Sequence, residues 1–143
     1  MTGKIRHRLN DPLSSGVYRA TRAEEALTAA RGSDLRVSRI ALTRAPDKPA
    51  LLAEIARALE FPQWFGGNWD ALEDCLTDLS WRPAAGHLLV LEGAQRLARD
   101  DLGVLLDVLA SSAEFWAERG RPFIVVMVSG PASLPPLVRA RKA

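Results

Sequence analysis

Five carboxylates stand at positions 60 to 81, namely Glu60, Asp70, Glu73, Asp74 and Asp78, with no Lys or Arg among them. The whole chain carries a formal charge of +2, so this stretch is a local inversion of sign. Acids at such density can hold a divalent cation or face a basic surface on another molecule. A cation site at Asp70, Glu73 and Asp74 is disfavoured, because hard cations usually draw ligands from several elements and no His lies in the stretch. Three of the four tryptophans do lie there, Trp64, Trp69 and Trp81, and Phe61 and Phe65 join them. Rings beside acids suit a protein interface, where rings anchor and charges steer. They suit nucleic acid less well. Trp64, Phe65 and Trp69 could stack bases, but the neighbouring carboxylates repel phosphate.

Those side chains need a loop and a helix to position them. Pro62 cannot continue a helix, since its ring fixes φ and removes a donor. Gly66 and Gly67 supply backbone angles for a sharp turn. Asn68 stands where a helix N-cap belongs, and the pattern predicts a helix over 69–80 that Pro83 stops. At 100° per residue, Trp69, Leu72, Cys75, Leu76 and Leu79 share one face. Asp70, Glu73, Asp74, Thr77 and Asp78 share the other. Asp70, Asp74 and Asp78 then form an i, i+4 ladder of like charge, which opposes the helix by roughly 0.2–0.5 kcal/mol per pair. Asp70, in the first turn, regains about 0.3–1 kcal/mol from the helix dipole. A local rule broken without local compensation marks a place where function is expected.

The rest of the chain reads as scaffold. With 143 residues, 48% hydrophobic and 25% charged, it is expected to form a single domain over 1–143. Strands are predicted at 16–19, 35–42, 88–91 and 123–128, and helices at 21–30, 47–59 and 100–119. Thr21 with Glu24 offers a capping box, Asp47 an N-cap with Pro49 in the first turn, and Gly32 and Gly120 stop signals. Strands alternating with helices imply an α/β fold, a small parallel sheet of three strands packed with helices, with room for one extra N-terminal edge strand. Segments 1–15 and 130–143 are expected as tails around a core at about 35–129. Six basic residues fall in those tails: Lys4, Arg6, Arg8, Arg139, Arg141 and Lys142. Without them, thirteen basic residues face seventeen acidic ones, so the pI of about 9.1 does not make the body a phosphate binder. No apolar run reaches the ~20 residues of a membrane span, and the N-terminus lacks a signal core, so the cytoplasm is the expected location. Cys75, on the apolar helix face, is expected to be an inert buried thiol. His7 falls in a tail. His87 begins a strand, is expected to be partly buried and hydrogen-bonded, and forms no triad with Ser or Cys. Neither a Walker loop nor G-x-G-x-x-G is present.

The run P-x-W-F-G-G-N-W-D-A-L-E-D-C-L-T at 62–77, with the strand–helix–strand that follows, resembles the barstar family, intracellular inhibitors of secreted bacterial ribonucleases such as barnase. The likeness covers roughly 40–129. It implies a three-stranded parallel sheet packed with helices, and a basic, extracellular-type ribonuclease as protein partner. No cofactor, no enzymatic activity, no membrane contact and a monomeric state are expected. By the same resemblance, Asp74 matches the carboxylate that enters the ribonuclease's phosphate-binding pocket. Asp70 and Thr77 match neighbouring contacts, Asn68 a contact from the loop, and Trp64 an aromatic that covers the active-site histidine. Phe65, Glu73 and Asp78 complete the expected contact surface. A ribonuclease cleft is lined with cations, and a ladder of carboxylates can imitate the RNA backbone there. Glu73 and Leu79 stand where the family has aromatics, and Asp78 where it has a glycine. The acid that the family contributes from its next helix has no single counterpart here, and Asp107 and Glu114 are the two candidates. The first 35 or so residues have no match. An alternative keeps the fold and changes the partner to another basic protein, as in an immunity or regulatory protein.

Overall fold

The structure, a computed structural model, describes residues 2–43 and 45–137, with side chains from Lys4 onward. Its elements run α1 (Thr2–Leu9), β1 (Gly16–Ala20), α2 (Glu24–Ala30), β2 (Leu35–Ala41), α3 (Lys48–Ala58), α4 (Trp69–Leu76), β3 (Gly86–Glu92), α5 (Arg99–Glu118) and β4 (Phe123–Val128). The strands form one sheet in the order β1-β4-β3-β2, and every neighbouring pair is parallel. The sheet therefore has four strands rather than three. The N-terminal stretch is a full member, its five residues in register with 124–128 of β4.

Burial explains which strands lie inside. β3 and β4 are almost continuously apolar and buried on both faces, as central parallel strands must be. β1 and β2 alternate more and take the edges. One face of the sheet presents Ile40, Leu89, Leu91, Phe123, Val125 and Met127 to α3, α4 and α5. The other presents Leu88, Val90, Ile124 and Val126 to α1 and α2. The result is a sheet covered by helices on both sides.

The N-terminal segment expected as a tail is part of the second layer. Ile5 and Leu9 of α1 are buried against alanines of α2, Ala26, Ala29 and Ala30. Its two arginines are tied to backbone oxygens. Arg6 donates from Nε to Ala29 O (3.2 Å) and from Nη2 to Arg31 O (2.8 Å), where the exposed carbonyls of α2 end. Arg8 donates to Leu137 O (2.6 Å), which fixes part of the expected C-terminal tail as well. Arg19 N–H donates to Pro135 O, Leu137 N–H donates to Arg19 O, and Leu137 is buried. Arg139, Arg141 and Lys142 lie outside the described residues. Asp47 caps α3 as expected, accepting from Ala50 N–H at 3.0 Å. The capping box at Thr21 does not form, because α2 starts one turn later from Ala23 with no side-chain cap. No helix among the described residues is long and apolar enough to cross a membrane.

Candidate protein-binding site

The approach to α4 is built by aromatic packing. Phe61 meets Phe65 edge-on with centroids 5.0 Å apart, and Trp81 meets Phe61 at 5.9 Å and Trp64 at 6.1 Å. The Trp81 indole N–H donates to Leu59 O at 3.0 Å, which ties the far end of the segment to its beginning. Gly67 adopts φ +69, the left-handed turn for which glycine is suited, whereas Gly66 does not need it. Asn68 then caps α4, its side-chain oxygen accepting from Ala71 N–H at 2.7 Å.

α4 is anchored from below and bare above. Leu72, Cys75 and Leu76 are fully buried. Burying each leucine contributes about 1.5–3 kcal/mol, well above the roughly 0.2–0.5 kcal/mol of an i, i+4 like-charge pair. Burial also pushes the Cys75 thiol up to about 11, helped by the charges of Asp74 and Asp78. That is an inert thiol. On the outer side, Asp70, Glu73 and Asp74 are exposed. Neither they nor Asp78 has a Lys, Arg or His partner within 4 Å among the described residues. Asn68 is also exposed, and Trp64 is 60% exposed, the most open of the large aromatic rings. Phe65 and Thr77 are half-buried, Phe65 packing on the core and Thr77 Oγ1 donating back to Glu73 O at 2.8 Å.

The helix is shorter than its pattern. It ends at Leu76, and Asp78 stands in the following turn, where its carboxylate accepts from Ser80 N–H at 3.3 Å. Leu79 takes φ +50 so that its side chain can stay buried, and that left-handed residue breaks the helix. The like-charge ladder on α4 is therefore Asp70 and Asp74 alone. The segment's fifth acid, Glu60, is likewise committed elsewhere: Arg82 Nη1 donates to it, and Arg36 lies 3.9 Å away. Lys48, at the start of α3, sits 5.6 Å over the Trp69 ring, a cation at the margin of the acidic face that no periodicity foretold. Asp107 and Glu114 are exposed on α5, each about half a turn around from Trp116, whose indole N–H reaches Leu76 O of α4 at 2.8 Å.

His87 departs from expectation. It is 5% exposed, lies among Trp116 and Phe123, and its Nδ1 has no hydrogen-bond partner. Burial, then the charges of Arg82, Arg36 and Arg121, push its imidazole down to about 4. His7 is exposed on α1. Among the described residues, no three His, Cys, Asp or Glu side chains come together in a way that could hold a metal ion.

A family model described as Barstar (barnase inhibitor) matches residues 35–128, about two thirds of the chain. The chain belongs to the barstar family. The matched span begins with β2 and ends with β4, so α1, β1 and α2 lie outside it. No curated protein matches the chain. Solved structures of similar fold include the following two. Cdc6p from Pyrobaculum aerophilum is 19% identical over 80% of this chain and 34% of that one, with a TM-score of 0.54. The ORC2 protein from Aeropyrum pernix, solved in ADPNP–ADP complexes, is 21% identical over 89% of this chain and 38% of that one, with a TM-score of 0.55. At such identities the likeness concerns the fold alone, and the chain spans little more than a third of either structure. The sequence contains no Walker loop.

Proposed function

We propose that this protein inhibits a barnase-like ribonuclease by lodging α4 and its approach loop in the nuclease's active-site cleft. The observation that carries the reading is a set of exposed carboxylates on a core-anchored helix, none of them ion-paired within the chain among the described residues. Family membership supports it. A nuclease that grips RNA must line its cleft with Arg, Lys and His. Asp74 and Asp70 would take the places of phosphates there, with their attraction strengthened as water leaves the interface. Trp64 supplies a ring already exposed for anchoring, and Asn68 and Phe65 flank it. The protein acts without a cofactor and without chemistry of its own, as a monomer in the cytoplasm.

A second reading keeps the binding mode and changes the partner to another basic protein. Glu73 and Asp78 favour it, because they add carboxylates where the family has an aromatic and a glycine. Inhibition assays with a purified barnase-like ribonuclease distinguish the two. The wild-type protein is expected to block RNA cleavage stoichiometrically, and Asp70→Ala with Asp74→Ala to abolish the block. Full inhibition by that double variant would refute the site. No inhibition by the wild type, with binding to a different basic protein that the double variant loses, would establish the second reading.

A further inference from the structure

Behind the turn that ends α4 lies a cleft of about 470 Å³ with basic walls. Three guanidinium groups line it, Arg82 ahead of β3 and Arg119 and Arg121 ahead of β4, against one carboxylate, Asp78. His87 and Trp116 also line it. Two buried side-chain nitrogens lack a hydrogen-bond partner among the described residues, Arg82 Nε and His87 Nδ1, and each lies in a residue that lines the cleft. Each residue is only 5% exposed. A buried orphan of this kind costs about 1–3 kcal/mol, and folded proteins keep few without a use for them. The outer two arginines are positioned but retain free donors. Arg119 lies 3.5 Å from the Phe115 ring centre and donates from Nη1 to Phe115 O. Arg121 donates from Nη1 to Ala84 O at 3.4 Å and lies 6.0 Å from the Trp116 ring. Neither has a carboxylate within 4 Å among the described residues.

We propose that this cleft binds the phosphate group of a small ligand of mononucleotide size. Guanidinium groups grip phosphate oxygens through planar, charge-assisted hydrogen bonds. Arg82 is already held by Glu60 and Ser38, but Arg119 and Arg121 together outweigh the one carboxylate of the lining, Asp78. A lone phosphate would leave most of the volume empty, which falls within the roughly 300–1,000 Å³ of small-ligand sites. Trp116 offers a wall for a planar base. The cleft opens at the N-terminal ends of β3 and β4 and shares only the turn at Asp78 with the acidic surface. The site is thus independent of the ribonuclease reading.

The test is an NMR titration of the full chain with inorganic phosphate and, separately, with guanosine 5′-monophosphate, at matched ionic strength. The His87 ring and Trp116 indole signals are expected to shift saturably. Arg119→Ala with Arg121→Ala, both at exposed positions, is expected to weaken binding by about tenfold or more. Arg22→Ala, exposed at the opposite end of the sheet, should leave it unchanged. Tighter binding of the nucleotide assigns a role to the base, and equal binding assigns the site to the phosphate group alone. Linear, unsaturated shifts with both ligands, or shifts indifferent to the double arginine variant in a chain of unchanged unfolding midpoint, would overturn the proposal.

Discussion

Glu60 and Asp74 belong to the same loop and helix, and both are exposed, yet the fold treats them in opposite ways. Glu60 takes a left-handed backbone (φ +55) and meets Arg82, whose other arm donates to Ser38 Oγ at 2.9 Å. That is a carboxylate with its cation built in, joining the loop to β2. Asp74 has no cation within 4 Å among the described residues. An acid that serves the fold is found with its partner; an acid left bare on an anchored helix is available to something else. The contrast separates structure from function within one short segment more cleanly than charge density does.

The largest expected effect tests the bare side of that contrast. Asp74→Ala should weaken binding to a barnase-like ribonuclease by about 2–4 kcal/mol, as hot-spot truncations do. The same variant should change urea-unfolding stability by less than about 0.5 kcal/mol, because nothing in the fold depends on it. A comparable loss in both measurements would erase the distinction drawn from Glu60.

Next in size is a pH effect on the committed side. The His87 imidazole is held down to about 4, by burial first and then by Arg82, Arg36 and Arg121, while an unfolded chain protonates near 6.5. The unfolded state therefore binds a proton that the folded state refuses. This contribution to stability is complete above pH 6.5 and declines as pH falls toward 4, by about 3 kcal/mol in all. Urea titrations between pH 4 and 7 should show a steeper loss in the wild type than in His87→Gln. Parallel curves would mean that the ring is reached by water.

Arg82→Ala follows, with an expected loss of about 2 kcal/mol in unfolding free energy, since it leaves Ser38 Oγ unpaired in the interior. Ribonuclease binding should move much less. Smallest is Asp70→Ala, expected to weaken binding by about 1 kcal/mol, in line with ordinary interface truncations. Raising salt in the same experiment should slow association far more than it speeds dissociation, because steering is screened beyond ~8–10 Å. A salt effect confined to dissociation would argue against steering by this face.

Much of the site was legible because its signals are local. Pro62, Gly67 and Asn68 dictate the turn and cap from their own chemistry, and the apolar spacing of Leu72, Cys75 and Leu76 fixes which side of α4 faces inward. The helix end was misread because Leu79 fits the apolar stripe equally well in a left-handed turn, and only its burial decides. α1 was hidden for a related reason. Ile5 and Leu9 are its buried apolar residues, and they have a place to go only because alanines on α2 leave room. Arg82, His87, Arg119 and Arg121 are scattered over nearly forty positions, and the strand ends bring them together without any spacing in the sequence to announce it.

One consequence of the sheet order concerns how the molecule is made. Among the four strands β1 pairs only with β4, with Gly16 opposite Ile124, over a hundred positions further along the chain. During translation the first strand must wait, unmated, until the last has left the ribosome. Assembly of the sheet can finish only after β4 has been made, so a chain cut short before β4 would carry its acidic helix without a completed body beneath it.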